Sequence, residues 1–147
     1  MFQRLNIFLL ALVFSFASFA QTDAKIEVVK HNHVALHVKD IAASTKFYKE
    51  VMGLEPVAVP DSLKAIRSWF KLGTDQQIHL LAGRDFDVKN DRNGSHFALF
   101  VTSIAAAEKY LTQHKLSFHK QVRFDGAVQI YVADPDGYLI ELNEVKR

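Results

Sequence analysis

The chain of 147 residues contains no cysteine, only three prolines and six glycines. Without thiols there is no disulfide, no thiolate nucleophile and no zinc–thiolate centre. Few prolines and glycines exclude a collagen-like or low-complexity chain. Charge is nearly balanced, with 18 Lys and Arg against 16 Asp and Glu, and no basic run stands out. That excludes a nucleic-acid face and a polybasic membrane surface as the main business of the molecule. Long apolar runs are also scarce. The one pronounced example, Ile7 to Phe19, falls short of the roughly 18 residues that a spanning helix needs.

That run follows a short basic start at Arg4 and ends in Ser18-Phe19-Ala20, with small residues at the positions a signal peptidase reads. Residues 1–20 are therefore expected to be a signal peptide. Residues 21–30 are a short N-terminal extension, and 31–147 a single domain of a periplasmic or secreted protein with no membrane attachment after cleavage. A chain of this size buries roughly two thirds of its unfolded surface, enough for a core without disulfides.

What is present is a repeat. HVALHVKDIAASTKF, from His33, aligns with HFALFVTSIAAAEKY, from His96. Identities include His33/His96, Ala35/Ala98, Leu36/Leu99, Val38/Val101 and Ile41/Ile104. Further on, Ile78-His79-Leu80 aligns with Ile140-Glu141-Leu142. Two copies of one unit, 31–83 and 94–145, are joined by a charged, aperiodic linker at 84–93.

Each unit opens with an alternating stretch and continues into a helical one, expected at 41–52 and 104–114, with Asp40 and Ser103 as N-caps. Further strands are expected at 66–72, 77–82, 117–123, 127–133 and 138–144, with Asp134-Pro135-Asp136-Gly137 as a turn. The fold class is α+β: two tandem βαβββ units forming a curved mixed sheet with helices on its convex side.

Strand alternation sorts the side chains. Val34, Leu36 and Val38 share one face, His33, Ala35 and His37 the other; Phe97, Leu99 and Val101 oppose His96 and Ala98 in the same way. His79 and Glu141 each stand between two aliphatic residues and so oppose an apolar face. Four metal-capable residues thus occupy equivalent positions on the face away from the helices. A buried carboxylate in Leu-Ile-Glu-Leu-Asn is costly unless paired or metal-bound. His33, His79, His96 and Glu141 are accordingly the candidate metal ligands, a donor set suited to divalent Fe, Mn, Co, Ni or Zn. A helical H-x-x-x-H zinc site at His33 and His37 is excluded, because Val34 replaces the required Glu and the segment alternates. His31 and His119 read as solvent-facing and His114 as a helix terminus. His37 lies one pleat beyond Ala35. Trp69 and Tyr131 are repeat-equivalent, with Arg67 and Gln129 beside them. These five are candidates for substrate contact.

The segments NHVALHVKDIAASTKFYKEVMGLEP, IHLL, GSHFALFV and DPDGYLIELNE resemble the vicinal oxygen chelate superfamily, which includes glyoxalase I, extradiol dioxygenases and bleomycin-binding proteins. The resemblance covers residues 31–145 and implies one divalent metal per site, held by His33, His79, His96 and Glu141. It implies a small-molecule substrate and a homodimer whose metal sites draw His33 and His79 from one chain and His96 and Glu141 from the other. It implies a lactoylglutathione lyase-like lyase or isomerase, acting by Lewis-acid stabilisation of an enediolate or alkoxide, with Glu141 as the catalytic base at a raised pKa. An Fe(II) extradiol-type dioxygenase and a non-catalytic periplasmic binder of metal or small ligand are the alternatives. Where bacterial glyoxalase I enzymes carry glutathione-binding Arg and Asn, this chain has His37 and Gly83.

Overall fold

A computed structural model of the protein describes residues 25–146. The expected signal segment lies outside the described residues. Residues 25–30 are exposed and form no helix or strand, and a compact unit begins at His31.

The first half runs β1 (His33–Val38), α1 (Ile41–Lys46), β2 (Pro56–Val57), β3 (Arg67–Leu72) and β4 (Gln76–Ala82). The second runs β5 (Phe97–Val101), α2 (Ile104–Gln113), β6 (Phe118–Val122), β7 (Val128–Ala133) and β8 (Leu139–Glu144). Both halves are βαβββ units of an α+β fold. Within the chain their strands form two four-stranded sheets, ordered β1-β4-β3-β2 and β5-β8-β7-β6. In each, the first and last strands of the unit are parallel and the remaining pairs antiparallel. A parallel pair needs a crossover, and each unit's helix lies within it.

Both helices start where the caps were expected. The Asp40 carboxylate accepts from the amides of Ala42 and Ala43 at 2.9 and 3.0 Å, and Ser103 Oγ from the Ala106 amide at 3.2 Å. Ile104 N also donates to Glu144 Oε2 at 2.8 Å. The first helix does not stay regular. At Phe47–Val51 it widens into a π-helical turn, and both Phe47 and Tyr48 are buried there. The two-residue β2 carries no alternating pattern of its own, and it forms only by pairing with Trp69 and Phe70 of β3.

Leu36, Val38, Phe70, Ile78 and Leu80 of the first half share one core with Ile130, Val132, Ile140 and Leu142 of the second. The helices cover this apolar face of each sheet, so the alternation leaves the histidine face open.

The halves are joined by a buried polar seam built on the 134–137 turn. Tyr48 Oη donates to Asp134 Oδ2 at 2.8 Å, while Asp134 Oδ1 accepts from the amides of Asp136 and Tyr138. Asp136 accepts from the Lys39 amide, Ser44 Oγ and Arg84 Nη2 at 2.6 to 2.7 Å. The Arg84 and Asp136 side chains retain only 2% and 3% of their exposure. Tyr138 Oη donates to the His37 carbonyl at 3.0 Å. Gly137 closes the turn at φ +87°, a conformation that side-chain-bearing residues rarely adopt. Arg84, which sequence pattern assigns to a solvated linker, is thus a buried structural cation.

Candidate functional site

Register explains how the four candidate ligands are placed. His79 is aligned with Ala35 on one side and Trp69 on the other. Glu141 is aligned with Ala98 and Tyr131. In both halves a small alanine stands beside the β4 or β8 residue, and the histidine two positions before that alanine reaches in diagonally. His33 and His79 stack with ring centroids 4.3 Å apart and planes 16° from parallel. His96 Nε2 lies 2.9 Å from Glu141 Oε2.

Each imidazole has a polar neighbour that orients it. His96 Nδ1 donates to the Gly94 carbonyl at 3.1 Å, which turns Nε2 toward Glu141. His33 Nδ1 lies against Asn32 Oδ1, and His79 Nε2 donates to Gln77 Oε1 at 2.8 Å. Such partners fix the ring and its tautomer, as they do around metal-bound histidines. Burial, and then the neighbouring His33, lower the pKa of His79 and favour the neutral, ligating form.

Glu141, 8% exposed, is surrounded by donors. Oε1 accepts from Gln129 Nε2 and from Asn143 Nδ2 at 2.7 Å; Oε2 accepts from Tyr131 Oη at 2.7 Å. Burial pushes its pKa up, but Asn143, Tyr131 and His96 outweigh that and hold it below its ordinary value. This corrects the expectation of a carboxylate raised toward neutral pH. The chain holds Glu141 as an ionised acceptor, a weak base. Tyr131 moves the other way, pushed up to about 12 by burial and by its bond to Glu141.

The remaining candidates divide. Trp69 stacks on His79 at 4.9 Å, and Tyr131 meets the His96 ring edge-on at 5.7 Å. Gln129 is buried against Glu141. Arg67 instead donates to the Ile66 carbonyl. His37 belongs to the seam, with Nε2 donating to the Ala82 carbonyl at 3.1 Å and its ring 5.9 Å from Phe86. Asn143, Gln77 and Asn32 were not foreseen. For Asn143 a signal existed, because it shares the Glu141 face by strand alternation.

Within one chain the four candidate ligands form two pairs. Among the described residues no group of three or more His, Asp or Glu side chains is close enough to hold a metal ion. Each pair nonetheless has the chemistry of half a centre. His96 Nε2 and Glu141 Oε2 approach to 2.9 Å, so a nitrogen and an oxygen donor face the same point. Three imidazoles and one carboxylate fit a divalent N/O-ligated metal.

A duplicated βαβββ chain with imidazole and carboxylate pairs on the open faces of its sheets defines a chelate-type α+β protein. The chain belongs to the Glyoxalase/Bleomycin resistance protein/Dioxygenase superfamily, whose family model matches residues 30–142. It is 26% identical over 119 residues to glyoxylase I 4 of Arabidopsis thaliana, covering 76% of this chain and 68% of that protein. It is 32% identical over 123 residues to a virulence protein of Salmonella typhimurium, covering 77% and 82%. The crystal structure of a glyoxalase family protein from Bacillus anthracis superposes with a TM-score of 0.69 at 26% identity, covering 84% of this chain and all of that one.

Proposed function

We propose that the protein is a metal-dependent lyase or isomerase of the glyoxalase type acting on a small oxygenated substrate. The cation is held between two copies, by His33 and His79 of one and His96 and Glu141 of the other. The observation that carries this reading is the division of four metal-capable side chains into two repeat-equivalent pairs, one per half. Two donors are too few for a stable centre. Two copies placing complementary halves face to face complete the set, and a two-fold dimer then makes two such sites.

A divalent cation so held would supply Lewis-acid polarisation to an oxygenated substrate. The chain does the rest. His79, its pKa lowered by burial and by His33, presents a neutral nitrogen lone pair beside the stacked His33 ring. Gln129, Asn143 and Tyr131 keep Glu141 charged and fixed in orientation. Glu141 takes a substrate proton only once these donors loosen, because they stabilise its ionised form. Trp69 and Tyr131 wall the two half-sites with aromatic surface.

Elemental analysis of the mature protein beside its His96→Ala variant tests the centre. We expect bound divalent metal in the first and none in the second; equal content defeats the reading. A screen with hemithioacetals then tests the reaction. Oxygen uptake with a catechol and Fe(II) would move the assignment to a dioxygenase. Metal binding without turnover of either would leave a binding protein. Export to the periplasm or medium is part of the same reading, checked by a mature N-terminus at Gln21. No helix among the described residues is long and apolar enough to cross a membrane.

A further inference from the structure

The open face of the second half continues past Tyr131 to β6. Gln121 Nε2 donates to Gln129 Oε1 at 3.0 Å and to Tyr131 Oη at 3.3 Å. The His119 ring lies 6.4 Å from that of Tyr131. Arg92, in the segment before β5, reaches over this edge. Its Nη1 donates to His119 Nε2 at 2.6 Å and to Gln121 Oε1 at 3.1 Å. A line of polar groups therefore runs from Glu141 on β8 through β7 to Arg92 above β6. It spans two strand spacings, about 10 Å.

Arg92 differs from several other cations of the chain. Arg84, Arg123, Lys39 and Lys120 each face a carboxylate. Arg92 has no ion pair among the described residues, and its side-chain hydrogen bonds go to the His119 ring and the Gln121 amide oxygen. Arginine is always charged, so it holds these contacts as a cation with no carboxylate against it. An incoming oxyanion would replace neutral acceptors with charge-assisted bonds, which are roughly twice as strong.

We propose that Arg92, with His119 and Gln121, forms a subsite for an acid group on the substrate, remote from the oxygens that face the metal. The substrate class is then a small 2-oxo or 2-hydroxy acid bearing a second acid group. The chelating end of this substrate rests on the function proposed above; the subsite itself rests on Arg92.

The two are tested separately. In the metal-loaded full chain, 2-oxoglutarate and its length-matched monoacid 2-oxovalerate are titrated by calorimetry, with phosphonopyruvate as the phosphonate arm. At least about tenfold tighter binding of a diacid or phosphonate than of 2-oxovalerate is expected. Which of the two gains identifies the acid group. Arg92→Gln removes that preference and leaves 2-oxovalerate binding and metal content unchanged, while Arg92→Lys keeps part of it. Equal binding of all three ligands, or a preference that survives Arg92→Gln, overturns the subsite. If the wild type holds no metal, the chelating reading fails, and the metal-free chain decides the subsite. Succinate then shifts the His119 ring signals in NMR saturably in the wild type and not in Arg92→Gln. No saturable shift, or the same shift in both, overturns the proposal.

Discussion

Across β1, β4 and β3 the first half aligns Ala35, His79 and Trp69; across β5, β8 and β7 the second aligns Ala98, Glu141 and Tyr131. The backbone places both rows alike, yet their surroundings differ. His79 sits between two aromatic rings, His33 and Trp69, and has one side-chain hydrogen bond, to Gln77. Glu141 sits in a nest of donors from Gln129, Asn143 and Tyr131. The first environment favours a neutral imidazole and the second an ionised carboxylate. Duplication copied the positions, and local chemistry then gave each half its own surroundings.

The comparison is broken most severely at the seam that holds the halves together. Arg84→Ala leaves Asp136 buried without its cation and should cost about 3 to 5 kcal/mol in urea unfolding. The double variant Arg84→Met/Asp136→Leu should recover only part of that loss, because it removes the buried charge pair but leaves the Lys39 amide and Ser44 hydroxyl without their acceptor. Next in size is the contrast between the two aromatic walls. Tyr131→Phe removes a donor from Glu141 and should weaken metal binding about ten- to hundredfold by competition titration. Trp69→Phe keeps a ring against His79 and should change affinity less than about threefold. Equal losses would mean that hydrogen bonding does not distinguish the halves.

The smallest effect is on pH. Burial pushes Asp136 up, but the Lys39 amide, Ser44 and Arg84 outweigh it, and its pKa lies below its ordinary value. Its contribution to stability is therefore present above the unfolded pKa of about 4 and is lost as pH falls through the lower folded value. Asp134 has the opposite sign, its pKa raised chiefly by burial. Its contribution is greatest below the unfolded pKa and is lost as pH rises through the folded one. Asp136→Asn should thus flatten the acid limb of a stability–pH curve, and Asp134→Asn should not.

Much of this arrangement was legible in the sequence because it repeats. The βαβββ units, both N-caps and the face shared by His33, His79, His96 and Glu141 follow from alternation and the internal match. β2 was invisible, since Pro56–Val57 is too short to show a period. The seam was invisible for another reason. The 134–137 stretch reads as a turn, and nothing local says that its two aspartates reach Tyr48 in the other half and Arg84 in the connecting segment. The lowered pKa of Glu141 comes from Asn143, two residues along the same strand, and from Tyr131 and His96, which only strand pairing brings near. Sequence alternation likewise places four candidate ligands on open faces without showing that one chain keeps them in two pairs.

Mixing two defective chains tests this division directly. His33→Ala/His79→Ala keeps only the second half's pair, and His96→Ala/Glu141→Ala only the first's. Alone, each should bind no divalent metal. Refolded together in equal amounts, they should form mixed dimers with one intact centre each, restoring about a quarter of the wild-type metal per chain. A mixture as empty as its components, beside a wild type that loads fully, would contradict a centre shared between two copies.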